Sequence, residues 1–215
     1  MNQQAAITCI FIDIGGVLLS NGWDRHARKE AAARFALDLT ELEERHHLVF
    51  ETYETGKLTL DEYLDLVVFH QQRTFTREQF QECIFAKTQP YPEMIALLRN
   101  LKEQHNSLKI LAVNNEAREL NAHRIAAFKL NEFIDGFVSS SFVHLRKPDA
   151  DIFRLALDIA QVPAPQVVCI DDQPLFVQVA ESLGICGIVH TGRRSTVTKL
   201  ASLGLTVVQD GVHAG

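Results

Sequence analysis

Three aspartates follow apolar, strand-length runs in this chain, at positions where carboxylates could do chemistry. Asp13 follows the run CIFI and precedes Gly15 and Gly16, and Asp171 and Asp172 follow the run VVCI. An unpaired buried charge is costly, so a buried parallel strand should not end on bare carboxylates without a use for them. Open α/β sheets place their ligand sites at the carboxyl ends of the strands. The aspartates therefore predict a site for a metal or a substrate, which the two glycines let the backbone approach closely.

Further polar side chains stand at the ends of other predicted strands. Asn114 and Asn115 follow the run ILAV, and Arg146 and Lys147 come just before a proline and a predicted helix. Carboxylates that share one rim repel each other, and a divalent cation that prefers oxygen ligands is the usual way to hold them together. A lysine and side-chain amides can orient and neutralise a phosphate-like anion. The combination predicts a phosphoryl-transfer site with Asp13 as the nucleophile.

The elements that must position these residues alternate between strand and helix. Apolar runs predict strands at 7–13, 108–113, 136–140, 166–170 and 185–189. Helical periodicity between and after the later strands predicts helices at 92–105, 116–128, 149–161, 174–183 and 195–203. This alternation is typical of a parallel sheet that is covered by helices on both faces, with right-handed crossovers. The residues from Gln209 to the end are expected to form a frayed tail.

A purely helical stretch follows the first strand. Apolar residues three and four apart predict helices at 24–37, 40–54, 59–72 and 76–87, and Thr40, Thr59 and Thr76 are candidate N-caps. The pattern predicts a small helical bundle that is inserted after the first strand.

Composition and charge narrow the classes of protein. The 215 residues include 47% hydrophobic and 22% charged side chains, as in an ordinary globular protein, and the formal net charge is −6. This charge argues against nucleic acid or an anionic membrane as the main partner. The apolar runs are far too short to span a membrane, and no secretory signal is visible. The four cysteines have no CxxC spacing, so we expect reduced thiols in a cytoplasmic protein.

In four ordered motifs the chain resembles the haloacid dehalogenase (HAD) superfamily, in the branch (subfamily I) with a helical, C1-type cap. The motifs are FIDIGGVL, ILAVNNE, LRKPDADIF, and VVCIDDQ followed by AESLG. The resemblance implies an α/β fold in which helices sandwich a Rossmann-like parallel sheet. It also implies a core domain formed by residues 1–19 and 89–215 and an inserted helical cap domain at 20–88.

The resemblance also implies roles for the residues at the strand ends. Asp13 stands where the family has the aspartate that attacks phosphorus and forms an aspartyl-phosphate. Asp13, Asp172 and the carbonyl of Gly15 fall where the family binds Mg²⁺, with Asp171 in the first or the second coordination shell. Lys147 matches the lysine that steadies the nucleophile and the phosphate.

The phosphate-binding positions come from the first two motifs. Asn114 stands where the family usually has a Ser or Thr that binds a phosphate oxygen, and a side-chain amide can still donate there. Asn115 and Gly16 complete the set of residues that we expect to contact the phosphate.

Two further positions depart from the family pattern. HAD phosphatases usually have a second aspartate, the general acid and base, two positions after the nucleophile, where this chain has Gly15. Losing such a group costs on the order of 10²–10⁴ in rate, or about 3 to 5 kcal/mol of barrier. Phe176 stands where an Asn or Asp often supports the metal site.

Three functions fit this pattern. The leading interpretation is a Mg²⁺-dependent phosphatase of a small phosphorylated metabolite, working as a monomer or a homodimer. The second is a hydrolase of carbon–halogen or carbon–phosphorus bonds, and carbon–phosphorus hydrolysis would require Lys57 or Lys29 to reach Asp13. The third is a binding or regulatory module that retains affinity for metal and phosphate without turnover.

The histidines and Trp23 have local interpretations of their own. The histidines, including His46 and His47, have no metal-ligand spacing and are predicted to lie on the surface. Trp23 either lines the gap between core and cap or packs at the hinge.

Overall fold

A single parallel sheet organises the computed structural model, which describes residues 5–206; the predicted tail from Gln209 lies outside this range. Its strands are β1 (Cys9–Ile12), β2 (Lys109–Asn114), β3 (Gly136–Ser139), β4 (Val167–Asp171) and β5 (Cys186–Val189). They lie in the order β3-β2-β1-β4-β5, and every neighbouring pair is parallel. The predicted α/β fold with a parallel sheet is thereby confirmed.

Helices fill the connections between the strands. After β1 come α1 (Arg25–Arg34), α2 (Leu39–Glu54), α3 (Leu60–Val67) and α4 (Arg77–Phe85), which we call the helical segment. The later helices are α5 (Pro92–Gln104), α6 (Arg118–Ala127), α7 (Ser140–Val143), α8 (Ala150–Ala160), α9 (Pro174–Ser182) and α10 (Arg193–Ser202). No helix within residues 5–206 is both long enough and apolar enough to cross a membrane.

The central strand β1 shows why the sheet is covered on both faces. All four of its residues are buried. Cys9 and Phe11 join the apolar cluster that includes residues of α8, whereas Ile10 and Ile12 join the cluster that includes residues of α5. Successive side chains of a strand point to opposite faces, so an uninterrupted apolar run requires cover on both.

The order of the strands brings the site-bearing ends together. β1 pairs with β2 on one side and with β4 on the other. Parallel strands end at the same edge of a sheet, so the residues that follow these three strands share one rim. Asp13, Asn115 and Asp172 each come directly after one of them.

Of the three N-caps predicted in the helical segment, two are confirmed and one is wrong. Thr59 and Thr76 each form a capping box with the residue three positions on. Thr40 is not a cap: the Asp38 carboxylate accepts hydrogen bonds from the backbone N–H groups of Thr40 and Glu41, so α2 begins earlier.

The end of α3 also differs from the prediction. The helix ends at Val67, although helical periodicity continues to residue 72. The Arg73 side chain donates from Nε to the carbonyl of Val68 at 2.7 Å and takes the place of a further backbone donor. Side-chain capping by a distant residue is not visible in apolar periodicity.

Hydrogen bonds connect the C-terminal end of α2 to α7, the short helix that follows β3. Ser140 donates from Oγ to the carbonyl of Glu54 at 2.6 Å, and Nδ1 of His144 lies 2.7 Å from the carbonyl of Thr55. Gly56 has φ +70°, and a Cβ there would overlap the backbone of Ser141. Position 56 requires glycine for two reasons: its positive φ angle and the lack of space for a side chain.

Candidate active site

Three carboxylates meet at the rim where β1 and β4 end. Asp13, Asp171 and Asp172 each place one carboxylate oxygen within 4.8 Å of the others. Gly16, with φ +71°, lies so close to Asp172 that a Cβ would overlap its carboxylate. The cluster offers only hard oxygen ligands, together with a glycine that leaves room beside them. This donor set fits a divalent cation such as Mg²⁺.

Lys147 is the cation that the chain itself supplies to this cluster. Its side chain is 1% exposed, and its Nζ lies 2.6 Å from Oδ2 of Asp171 and 3.2 Å from Oδ1 of Asp13. Burial by itself would lower the pKa of Lys147, but Asp13 and Asp171 outweigh it and raise that pKa. The ammonium therefore stays charged and holds two of the three carboxylates together.

The three carboxylates differ in how many of their oxygens are engaged. Asp171 is fully engaged, because Oδ2 accepts from Lys147 and Oδ1 accepts from the backbone N–H of Gln173 at 2.8 Å. Oδ2 of Asp13 and Oδ1 of Asp172 accept no hydrogen bond from another residue among residues 5–206. Asp13 and Asp172 thus present open ligand atoms, while Asp171 orients the lysine.

The crowding of negative charge perturbs the site. Burial, together with Asp171 and Asp172, raises the pKa of Asp13 to about 7 even though Lys147 opposes the shift. Burial and the neighbouring Asp171 also raise the pKa of Asp172. The rim carries more negative charge than one lysine balances, which is the electrostatic setting that favours a bound cation.

The two predicted asparagines lie differently. Asn115 lines the cavity above the carboxylates, and its side chain bonds both the carbonyl and the backbone N–H of Lys147, at 2.8 and 2.9 Å. Asn114 is 1% exposed, is not among the lining residues, and bonds Asn121 and Ser139. Neighbouring side chains of a strand point to opposite faces, so only one of the two asparagines can face the cavity.

The space beside Gly15 is already filled. A Cβ built on Gly15 would lie 2.8 Å from Oδ1 of Asn21 and 3.9 Å from Nη2 of Arg124. Asn21 therefore stands where an aspartate at position 15 would begin.

A cavity of about 270 Å³ opens above the carboxylates. The helical segment and the residues just before it supply one part of its lining: Asn21, Trp23, His46, Phe50, Tyr53 and Glu54. The residues after the strands supply another part: Asp13, Asn115, Glu116, Lys147, Asp172 and Phe176. Lys29 and Lys57 are exposed and are not among the lining residues.

Two ion pairs that the sequence did not reveal stand in the cavity wall. Glu116 pairs with the buried Arg124, whose Nη2 also donates to the carbonyl of Ser20 at 2.6 Å. Arg146 pairs with Glu54 through Nη2 at 2.9 Å. Burial raises the pKa of both glutamates, and each arginine opposes that shift. Arg146 also pairs with the exposed Glu51 at 3.0 Å, so neither arginine of the cavity wall is left without a carboxylate partner.

The interpretation of His46 as a surface residue is wrong. His46 is half-buried and lines the cavity, while its neighbour His47 is exposed. His46, Phe50 and Tyr53 lie four and three residues apart on α2, so they share one face of the helix. That spacing could have predicted that His46 lies on the same helix face as the two aromatic residues. The pattern of apolar residues does not include it, because histidine is polar. Trp23 also lines the cavity, and it packs edge-on against Phe80.

Comparisons with known proteins agree with this geometry. The model of the haloacid dehalogenase-like hydrolase family matches residues 7–184. The HAD family enzyme bt-2542 of Bacteroides thetaiotaomicron, solved with magnesium and inorganic phosphate, is 20% identical with a TM-score of 0.72, covering 87% of this chain and 96% of its own. A HAD phosphatase of Thermococcus onnurineus is 17% identical with a TM-score of 0.64, covering 94% and 100%. An L-2-haloacid dehalogenase of Xanthobacter autotrophicus is 15% identical with a TM-score of 0.59, covering 91% and 83%. No curated protein sequence matches the chain.

Proposed function

Because this chain belongs to the haloacid dehalogenase-like hydrolases, we propose that it is a Mg²⁺-dependent phosphatase of a small phosphorylated metabolite. One observation carries the proposal: Lys147 bridges Asp13 and Asp171 at the floor of a cavity into which Asp13 and Asp172 present open oxygens. In this proposal residues 20–88 form a C1-type helical cap over the site, and the enzyme is cytoplasmic.

The proposed chemistry begins at Asp13. An oxygen of its carboxylate forms a bond to phosphorus while the bond from phosphorus to the alcohol oxygen breaks, and the alcohol oxygen takes up a proton from solvent water. A water molecule then attacks phosphorus and gives up a proton to solvent, the bond between phosphorus and the Asp13 oxygen breaks, and inorganic phosphate leaves with the carboxylate restored. Lys147 holds the nucleophile in place and offsets negative charge that develops on the phosphoryl oxygens.

The metal would be held by Asp13, Asp172 and the carbonyl of Gly15, with Asp171 behind them, bonded to Lys147. Bound Mg²⁺ supplies charge neutralisation for the phosphate and for the carboxylates. On the phosphate, we assign contacts to the backbone at Gly16 and to Asn115. Asn114 does not line the cavity. We assign it an indirect role, in which its hydrogen bonds to Asn121 and Ser139 hold the end of β2 in place.

Particular features favour the phosphatase over its alternatives. The two adjacent aspartates, Asp171 and Asp172, suit a metal site, and dehalogenation does not need a metal. Hydrolysis of a carbon–phosphorus bond would need a lysine at the substrate, and Lys29 and Lys57 both lie outside the cavity lining. The relative solved with magnesium and inorganic phosphate supports the same choice.

The direct test is phosphate release from a panel of sugar phosphates, nucleotides and an aryl phosphate, with Mg²⁺ and with excess chelator. We expect at least one ester to be hydrolysed, with activity lost on chelation and recovered when Mg²⁺ is restored. Activity that chelator leaves unchanged would contradict the metal assignment. If no ester is hydrolysed, the non-catalytic module becomes the better interpretation, and binding of Mg²⁺ and phosphate by calorimetry would test it.

A second prediction concerns the missing general acid. We expect the double variant Gly15→Asp/Asn21→Ala to turn over at least about ten times faster than Gly15→Ala/Asn21→Ala, because only the first restores a carboxyl group near the leaving oxygen. Gly15→Asp alone should lower activity, since its Cβ would crowd Oδ1 of Asn21 at 2.8 Å. Initial rates on the best substrate of the panel give the comparison. Equal rates of the two double variants would show that the lost acid does not limit turnover.

A further inference from the structure

Hydrogen bonds link three aromatic side chains, Trp23, Tyr63 and His46, beside the cavity. Nε1 of Trp23 lies 2.8 Å from the hydroxyl oxygen of Tyr63, and that oxygen lies 2.8 Å from Nδ1 of His46. Tyr63 is fully buried, and these two are its hydroxyl's hydrogen-bond partners among residues 5–206.

The direction of these hydrogen bonds follows from the chemistry of the groups. An indole N–H can only donate, so the Tyr63 oxygen accepts from Trp23. The Tyr63 hydroxyl must then donate its own proton to Nδ1 of His46, since otherwise that proton would be buried without an acceptor. Nδ1 of His46 is therefore an acceptor and carries no proton.

A neutral imidazole whose Nδ1 accepts carries its proton on Nε2. Nε2 of His46 has no hydrogen-bond partner among the described residues, nor is it one of their buried unpartnered atoms. Since His46 lines the cavity, this donor is open to a ligand there.

The surroundings keep His46 neutral. Burial lowers its pKa to about 4, and the charge of Arg28 acts in the same direction. His47 adds to that effect, whereas Glu43 opposes it and is itself paired with Arg28 at 2.8 Å. Near neutral pH the side chain is thus an uncharged donor with a fixed direction.

We propose that His46 determines substrate specificity by donating from Nε2 to an oxygen on the organic part of the phosphate ester, with Trp23 and Tyr63 as positioning residues. The proposal rests on the proposed function, which places the phosphate at Asp13 and the organic part in the rest of the cavity. The aromatic rings of Phe50 and Tyr53 line the same cavity and offer an apolar wall.

The charges of the cavity indicate the class of the organic group. Glu116 is paired with Arg124, and Glu54 with Arg146. A second anionic group on the substrate would need an unpaired cation, and both arginines of the cavity wall are paired. The substrate is therefore a phosphate ester whose organic part has no second anionic group and carries a hydroxyl or carbonyl oxygen.

The first test reads the tautomer without any turnover. In protein labelled with ¹⁵N-histidine, NMR should show His46 with a protonated Nε2 and an unprotonated Nδ1 at pH 7. Tyr63→Phe keeps the ring that stacks on Tyr53 at 4.2 Å but removes the hydroxyl, and it should release His46 into a mixture of tautomers. A protonated Nδ1 in the wild type would overturn the proposal.

The second test reads specificity as a ratio. For His46→Leu, the ratio of kcat/KM on a hydroxyl-bearing ester to kcat/KM on phenyl phosphate should fall about 10- to 100-fold. His46→Gln, whose amide N–H can replace Nε2–H, should restore part of the ratio. The matched control is His47→Gln, an exposed neighbour on α2, which should leave both values unchanged. An unchanged ratio in His46→Leu would overturn the proposal.

Failure of the proposed function can be told apart from failure of this inference. If no ester is hydrolysed, the same panel is titrated against the labelled protein in the presence of Mg²⁺. A change in the His46 Nε2–H signal on addition of a hydroxyl-bearing ester, with no change on addition of phenyl phosphate, would support the inference alone. No change with any member of the panel would overturn it.

Discussion

Asp13→Asn is expected to lower turnover by about 10³-fold or more on any ester that the wild type hydrolyses. An amide cannot form the covalent bond to phosphorus, and it withdraws a negative charge from the metal site. The substitution preserves shape: Oδ1 can still accept from the backbone N–H of Ile14 at 2.8 Å. Lys147 keeps its partner Asp171 at 2.6 Å. Phosphate release at saturating substrate and Mg²⁺ measures the loss.

The stability of the same variant separates a chemical effect from unfolding. In the folded protein the pKa of Asp13 is raised from 3.8 to about 7. The ionised carboxylate is therefore less favourable in the folded than in the unfolded chain, and the stability present below pH 3.8 is lost as the pH rises through 7. Without Mg²⁺, Asp13→Asn should thus have a higher Tm than the wild type at pH 8, with the difference fading toward pH 4. An inactive variant with a lowered Tm at pH 8 would speak against this account.

Most of the fold could be predicted because its signals are local. The run from Cys9 to Ile12 is apolar at every position, which is typical of a strand buried on both faces, and β1 is such a strand. Alternating strands and helices then restrict the sheet to parallel pairing with covered faces. Element ends were harder, as Asp38 and Arg73 show, because a cap depends on which side chain happens to reach the helix end.

The floor of the candidate site was also accessible from sequence. Asp13, Lys147 and Asp171 are far apart in the chain but adjacent in space. Knowing that strand ends share one rim is enough to place Asp13 and Asp171 together, with no knowledge of side-chain angles. Lys147 follows α7 rather than a strand, and its role at the site was predicted from the family resemblance. The same reasoning could not separate Asn114 from Asn115, because it places a residue at the rim without saying which face its side chain takes.

The contacts in the cavity wall could not be predicted from the sequence, for a different reason. Arg146 and Glu54 are separated by 92 positions, and their pairing depends on how α2 lies against the sheet. Periodicity describes each helix of the segment but does not fix that placement. The link from His46 to Tyr63 needs the placement of α2 against α3 as well. Residues that select a substrate are thus the least predictable part of this site, since they depend on packing between elements.

Lys147→Met should lower stability and activity together, and Mg²⁺ should recover part of the stability. Met matches the length of the side chain but leaves Asp13 and Asp171 without their buried cation. Breaking a buried pair in this way costs about 3–5 kcal/mol. Mg²⁺ binding at the same carboxylates would offset part of that cost, so the stabilisation by Mg²⁺ should be larger in the variant than in the wild type. Urea unfolding with and without Mg²⁺ gives both values.

Activity of Lys147→Met should fall about 10²–10³-fold even where Mg²⁺ keeps the variant folded, because the charge beside the nucleophile is gone. Lys57→Met is the matched control: the same change at an exposed lysine outside the cavity lining should leave stability and turnover unchanged. Since carbon–phosphorus hydrolysis would require a lysine of the helical segment, a large loss in Lys57→Met would favour that alternative. Loss confined to Lys147→Met would instead tie catalysis to the bridge between Asp13 and Asp171, where the phosphatase mechanism requires it.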